Sequence, residues 1–316
     1  MQYNNIVVDC YLLAYRSWWP VRDLTTSEGI PSGLEYGFIK NILTAARLWV
    51  PGKLVLAWDG FPKRCNEIFP KKMEQTEKGL VEVGYKSGRA GHEDKDTEPA
   101  WTPRLCRLRD CFQEVAECLY HPETEADEEI ARFVFAAESR GETNIIISKD
   151  RDLHQLVSDK THICLGPEEN LMTPEAIFKE KDTPWGVPCH KIPLRRAIEG
   201  DGSDAIKGVP RIPKDVVINL VNASNDIDHM IENISKGAMF KSKTQLEKML
   251  EGRDLIRRNY ALSELQSQRN YPPNYITKSV GNTDKLMALI DELEMHSLKD
   301  RKEWFLLRGE NTPQSV

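Results

Sequence analysis

The stretch "NIIISKDRDLHQLV", residues 144–157, opens on three isoleucines and then places Lys149, Asp150, Arg151, Asp152 and His154 where the chain should leave a core. A short run of β-branched residues bounded by polar ones reads as a buried strand. In an extended segment residues i and i+2 point the same way, so Asp150 and Asp152 can face one target together.

The pattern recurs upstream. "NNIVVDC" (4–10) is a short apolar strand running into Asp9, and "KLVLAWDG" (53–60) is a second, running into Asp59. Between them "LEYGFIKNILTAARLWV" (34–50) has apolar positions at the 3–4 spacing of an amphipathic helix. "LCRLRDCFQEVAECLY" (105–120) and "EADEEIARFVFAAESRG" (125–141) also read as helices, the second stopped by Gly141. Strands alternating with helices imply an α/β fold with a mostly parallel sheet covered on both faces. Residues 62–103 are polar and charged with scattered Gly and Pro, a poor core candidate and a segment expected to be mobile or ordered by substrate. From about residue 190 strand signals thin out. "KIPLRRAIEG" (191–200), "KDVVINLV" (214–221), "KTQLEKMLEGRDLIRRNYALSELQ" (243–266) and "TDKLMALIDELEMHSL" (283–298) read as helical, and "EWFLLRG" (303–309) as a last helix packing home. The domains expected are a catalytic α/β body over 1–188 and a helical region over 189–316.

Composition narrows the class. At 316 residues with 40% hydrophobic and 29% charged side chains the chain is globular and long enough for one large domain or two modest ones. No apolar run approaches the ~18–20 residues that span a bilayer, and no signal-peptide pattern opens the chain, so no membrane and a cytoplasmic location are expected. Seven cysteines without a CxxC pair fit reduced thiols better than a disulfide framework or zinc cage. A formal charge of −6 argues at first against a polyanionic partner. The objection weakens if many acids are gathered at one metal site, leaving basic residues elsewhere to face phosphate.

In an open parallel sheet the functional crevice lies outside the carboxyl ends of the strands. Asp9, Asp59, Asp150 and Asp152 are all delivered there. "EADEE" adds Glu125, Asp127 and Glu128 at a helix start, and "GDGSD" adds Asp201 and Asp204. Each piece alone is commonly a turn, a helix cap or a solvated face. Nine carboxylates converging without partners would repel one another, so their joint occurrence calls for positive charge among them. All-oxygen ligand sets suit Mg²⁺, with Mn²⁺ as substitute, and the lack of spaced His and Cys argues against zinc. Two such ions ~3.5–4 Å apart suit in-line displacement at phosphorus.

Seven segments, "IVVDCYLLAYRSWW", "LTTSEGIPSGLEYGFIKNIL", "LAWDG", "YKSGR", "EADEEIA", "SKDRDLHQLVSD" and "EGDGSDAIKGVP", follow one another in an order that resembles the 5′-nuclease superfamily. That superfamily includes flap endonucleases, bacteriophage 5′–3′ exonucleases and the 5′-nuclease domain of bacterial DNA polymerase I. The resemblance runs from about residue 5 to 215 and more loosely to about 307; with no polymerase portion following, the chain looks like the free-standing phage form. It implies a PIN-like central sheet flanked by helices, a helical arch within 62–103, and a C-terminal helical region with a helix-three-turn-helix-like motif that binds duplex DNA.

By that resemblance Asp9, Asp59, Glu125 and Asp127 surround a first metal ion with Glu128 nearby. Asp150, Asp152 and Asp204 surround a second, with Asp201 outside them. Glu128 stands where the bacterial and phage branches carry Asp, which favours a water-mediated role. Lys86 and Arg89 of "YKSGR" contact the scissile phosphate, and Tyr15 stacks on a terminal base. The family's Gly-Val-x-Gly-Ile-Gly turn reads "GVPRIP" here, with Arg211 and Pro213 in place of the last two glycines. Proline removes an amide donor, so Lys207, Arg211 and Lys214 are expected to hold duplex phosphate by side-chain charge, with loss of the family's potassium site. The implied activity is a two-metal, structure-specific 5′ nuclease on DNA ends, flaps and nicks, with RNA–DNA hybrid a further substrate, acting as a monomer. A PIN-like ribonuclease and a non-catalytic DNA-binding replication protein are the rivals; none of the nine acid positions is neutral, which counts against the second.

Overall fold

The computed structural model describes residues 3–49, 53–76, 79–87, 101–164, 166, 171–179, 185–240, 242–276 and 281–307. Three apolar runs become the strands β1 (Asn5–Asp9), β2 (Lys53–Ala57) and β6 (Asn144–Ile147), with β1 in the middle. They pair in parallel register, Val7 lying opposite both Val55 and Ile146. The six-stranded order is β5-β2-β1-β6-β7-β8, where β5 is Glu117–Leu119, β7 is Thr161–Cys164 and β8 is Leu171–Met172. Only β8 runs antiparallel to its neighbour.

Strand alternation divides the core between two faces. Val7, Val55, Ile146 and Ile163 face α5 (Ala126–Ser139) and a helical layer built from α7 (Ile192–Glu199), α8 (Lys214–Asn222), α9 (Ile227–Lys236), α10 (Lys243–Glu251) and α11 (Arg253–Ser263). Ile6, Val8, Leu54, Leu56 and Ile147 face α1 (Cys10–Trp18), α2 (Gly33–Trp49) and α4 (Trp101–Phe112). The last helices, α12 (Asp284–Glu292), α13 (His296–Lys299) and α14 (Glu303–Leu307), join this second face through Leu289, Ile290, Leu298, Trp304 and Leu307. Packing therefore ties the end of the chain to its first helices, across the division at residue 188 that chain order suggests.

Several elements differ from the sequence reading. The helix expected over 105–120 ends at Phe112, and Glu117–Leu119 pairs with β2 as an edge strand. Cys118 and Leu119 there point into opposite cores, a tertiary preference that local periodicity does not carry. The stretch 243–266 is broken at Gly252, where an added Cβ would lie 2.9 Å from Val209 Cγ2. Strand β7 and helix α9 were not foreseen. Between α3 (Lys63–Ile68) and α4 the described residues include an antiparallel hairpin, β3 (Lys72–Thr76) with β4 (Gly79–Val83). Residues 88–100, where the rest of the expected arch falls, lie outside the described residues. A short α6 (Pro174–Phe178) and the β9–β10 pair (Gly200–Asp201 with Ile206–Lys207) complete the elements.

Candidate active site

The parallel strands end along one edge of the sheet, and each of β1, β2 and β6 hands over an acid there. Asp9 caps α1, accepting from the Leu12 amide (3.2 Å) and from Ser148 Oγ (2.9 Å). Burial raises its pKa to about 7, helped by the charges of Asp59 and Asp150. Asp59 accepts from the Ala126 amide at the start of α5 (2.9 Å). Gly60 permits this approach, since a Cβ there would come within 2.1 Å of the His121 carbonyl oxygen. The surrounding protein pushes the Asp59 pKa up, although its tip is exposed and water screens much of that effect.

Glu125 is buried at the N-cap of α5, where the Tyr85 hydroxyl donates to it (3.0 Å) and Lys86 Nζ forms a short ion pair. Burial works against the Lys86 charge, but Glu125, Asp204 and Asp127 outweigh it and raise the Lys86 pKa. Lys86 also adopts φ of 53°, unusual for a non-glycine residue, and its amide bonds the Asp204 carbonyl (2.9 Å). Asp127 is raised well above the ordinary carboxylate range, by burial first and then by Glu125. Glu128 points elsewhere: it is buried against Arg64 of α3, which also donates to the Ala261 carbonyl of α11. Its side chain is thus committed to an ion pair, a constraint that the helix-face reading did not contain.

Asp150 is exposed, and its Oδ1 accepts from the Asp152 amide (2.8 Å). Asp152 has its pKa raised to about 7 by burial and then by Asp150, with Arg196 pulling the other way. Arg196 of α7 joins the second group: one terminal nitrogen lies 3.0 Å from Asp152 Oδ1 and the other 2.9 Å from Asp201 Oδ2. Behind it the guanidinium rests on the Trp185 ring, 5.2 Å from the centroid. Asp201 also accepts from the Ser203 amide (2.8 Å), and Asp204 is buried beside Lys86.

The structure thus sets six of the nine acids beside two cations, Asp59, Glu125, Asp127 and Asp204 near Lys86 and Asp152 and Asp201 on Arg196, leaves Asp9 and Asp150 in the field of Asp59, and gives Glu128 to Arg64. Sequence reasoning missed Arg196, Tyr85, Ser148 and Arg64. For Arg196 a signal existed in "RRAIEGD", a cation five residues before Asp201. Arg89 lies outside the described residues. Tyr15 is 43% exposed on α1, and Lys207, Arg211 and Lys214 are exposed, Lys207 on the β10 strand that pairs with the Gly200–Asp201 strand. Arg211 keeps the left-handed bend of a glycine turn (φ 61°), and Pro213 is the N-cap of α8.

The donor set fits a hard divalent cation. It is all carboxylate, burial and then neighbouring negative charge lift several of its pKa values, and the buried Asp152 Oδ1 has no hydrogen-bond partner beyond the Arg196 contact. Among the described residues no three acids are drawn together closely enough to hold an ion as they stand, Lys86 and Arg196 being placed between them. No helix among them is long and apolar enough to cross a membrane.

A mostly parallel sheet that collects carboxylates at its strand ends, under a helical layer, defines an α/β protein of nuclease-like architecture. The chain belongs to the family described as 5′-3′ exonuclease, N-terminal resolvase-like domain, whose model matches residues 4–182. The thermostable DNA polymerase I of Thermus thermophilus is 28% identical over 298 residues, covering 93% of this chain and 32% of the relative. The chain thus spans about a third of the length of the curated polymerases that it matches. The 5′-3′ exonuclease of Buchnera aphidicola is 28% identical over 234 residues, covering 73% of this chain and 74% of that one. T5 5′-exonuclease with divalent zinc ions bound shares the fold at TM-score 0.65 and 17% identity, covering 94% of this chain and 97% of that one. Flap endonuclease-1 of Methanococcus jannaschii does so at TM-score 0.55 and 13% identity, covering 98% and 93%.

Proposed function

We propose that the chain is a divalent-metal-dependent 5′–3′ exonuclease and flap endonuclease, hydrolysing phosphodiesters at DNA 5′ ends, flaps and nicks. The observation that carries this is that acids following β2, opening α5 and in the β9 turn surround Lys86, acids following β6 and in β9 bind Arg196, and Asp9 at the end of β1 feels the charges of Asp59 and Asp150. Asp9, Asp59, Glu125 and Asp127 would hold one Mg²⁺, and Asp150, Asp152 and Asp204 a second, with Asp201 and Glu128 fixed outside them by their arginines. Such ions supply Lewis-acid stabilisation of the phosphate and lower the pKa of an attacking water.

The protein's own groups do the rest. Lys86 is held charged at the rim and would pass from Glu125 to the scissile phosphate, with Arg89 as its partner, neutralising charge that grows in the transition state. Its left-handed backbone is a local strain of roughly 1 kcal/mol of the kind that clusters at active sites. Tyr15 would stack on the base beside the cut. Lys207, Arg211 and Lys214 would grip duplex phosphates in the helical region after residue 188, and residues 62–103 would pass the 5′ strand, of DNA or of an RNA primer. A monomer would suffice, since one chain carries every group named.

The test is cleavage of a 5′-labelled flap duplex and a nicked duplex in Mg²⁺ by wild type and by Asp150→Asn, with EDTA as control. Cutting near the junction or nick, abolished by EDTA and by the folded variant, is expected. Binding without cutting in Mg²⁺ and Mn²⁺ would leave a DNA-binding protein, and cutting of single-stranded RNA alone a ribonuclease.

A further inference from the structure

Trp185 lies beside the second group of acids in surroundings unusual for a buried indole. It is 3% exposed, yet three guanidiniums rest against it: Arg151 at 4.8 Å from the ring centroid, Arg196 at 5.2 Å and Arg195 at 5.5 Å. Its Nε1 donates to His154 Nδ1 (3.1 Å), in the same short helical turn as Asp152, and its carbonyl accepts from Arg195. Arg195 is further held by Glu199, four residues on in α7, at 2.9 Å. The indole thereby joins the turn that carries Asp152 to the helix that carries Arg196. Arg196 is held in another way, by two carboxylates of the acid cluster. Asp152 Oδ1 is buried and makes no hydrogen bond, so its 3.0 Å contact with Arg196 is charge attraction without hydrogen-bond alignment. Such a contact can be exchanged for another cation.

We propose that Arg196 is a resident counter-ion of the second ion site and that Trp185 is the positioning residue that tethers it there. Arg196 neutralises Asp152 and Asp201 until a divalent cation takes Asp152; it then gives up that carboxylate and stays on Asp201 and the ring. The inference rests on the two-ion reading of the acids and adds to it the competitor that sets how tightly the second ion is held. The tether meets two opposed demands. A cation free to leave altogether would expose Asp152 and Asp201 to their mutual repulsion, and one hydrogen-bonded rigidly to Asp152 would exclude the ion. Stacking satisfies both, because a planar guanidinium is attracted anywhere over a ring within about 6 Å of its centroid and can shift without losing the contact. The Nε1 bond to His154 and the carbonyl bond to Arg195 keep the ring itself in place.

The experiment counts Mn²⁺ bound to the DNA-free protein, from the electron paramagnetic resonance of the free ion, in wild type, Arg196→Gln, Trp185→Leu and Trp185→Phe, and reads tryptophan emission along the same titration. Arg196→Gln removes the competitor and is expected to bind the weaker ion at least about 5-fold more tightly than wild type. Trp185→Leu frees the guanidinium and should shift the same way, whereas a merely structural role for either residue predicts weaker binding. Trp185→Phe keeps a ring face and should bind ions as wild type does, while losing the emission change that accompanies the second ion. One ion in wild type and two in Arg196→Gln is the same result in its extreme form. Equal or weaker second-ion binding in Arg196→Gln, or an emission change that survives in Trp185→Phe, overturns the counter-ion; if Arg196→Gln does not fold, the emission of Trp185→Phe decides. Wild-type cleavage of the nicked duplex in Mg²⁺ is read beside these. Cleavage without the coupling removes only the counter-ion; the coupling without cleavage keeps it and removes the nuclease reading.

Discussion

Asp9 is buried at the end of β1, and burial with the charges of Asp59 and Asp150 raises its pKa from 3.8 to about 7. Between those values the folded chain holds a proton that the unfolded chain has released. Without a bound cation, stability must therefore fall as pH rises from about 4 to about 7, and stay low above it. Asp152 shifts in the same direction. Thermal melts in EDTA are expected to show Tm falling between pH 5 and pH 8, with added Mg²⁺ restoring more at pH 8 than at pH 5. Asp9→Asn should raise Tm in EDTA at pH 8 and cut cleavage by about 10²-fold or more. A Tm that climbs over this range would contradict the account. Arg196 has the opposite role. It neutralises Asp152 and Asp201 from within, so Arg196→Ala should cost about 3 kcal/mol in EDTA, and a urea titration with and without Mg²⁺ should show the larger rescue in the variant. Seven of the acids were legible because each follows a strand or opens a helix, and Asp201 and Asp204 because they share one short glycine-containing turn. Arg196 was not, because a cation on an amphipathic helix is ordinarily a solvated one, and only packing against Trp185 turns it inward.

At the scale of elements, the turn before α8 shows how a sequence change is absorbed. Arg211 takes φ of 61° and so keeps a bend suited to glycine, while Pro213 gives up an amide just ahead of the helix. Arg211→Gly is expected to relieve strain worth roughly 0.5–1 kcal/mol. It should also remove one cation of the proposed duplex grip, lowering the salt slope of duplex binding by about one unit. Equilibrium urea unfolding and a salt titration of binding read the two effects separately. Potassium at constant ionic strength should leave binding unchanged; a potassium-specific gain would show that the remaining amides still form its site. The strands β1, β2 and β6 and the helices α2 and α5 were legible because their apolar periods are long and punctuated by caps or glycine. The edge strand β5 and the break at Gly252 were not. One depends on a ladder to β2 and the other on the close approach of Val209, both contacts distant in sequence.

At the scale of the whole molecule, both faces of the sheet must be covered, and the second cover is built from the two ends of the described chain. Leu289, Leu298 and Trp304 share a core with Val8, Phe38 and Ile42, and the Trp304 indole donates to the Leu298 carbonyl (2.7 Å). Ion pairs tie the same layers, Arg107 to Glu292 (2.7 Å) and Arg104 to Glu35 (2.8 Å). Glu294 reaches further, accepting from both the amide and hydroxyl of Ser27 at 2.6 Å. The loop leading into α2 is thereby tied to the turn between α12 and α13. Sequence order suggested a helical region apart from the catalytic body, because periodicity reveals which helices are amphipathic and not which sheet face they cover. Packing makes a different demand on α12–α14: they should act on stability and leave the chemistry alone. Leu289→Ala removes a fully buried side chain and is expected to cost about 2–5 kcal/mol in urea unfolding, with the m-value unchanged. At temperatures well below the lowered Tm its cleavage rate in saturating Mg²⁺ should stay within about twofold of wild type, because Leu289 packs in the second core and that helix supplies none of the site acids. A rate that falls while the variant remains folded would mean that the Glu294–Ser27 tie carries the end of the chain into the handling of substrate, and would move these helices from scaffold to machinery.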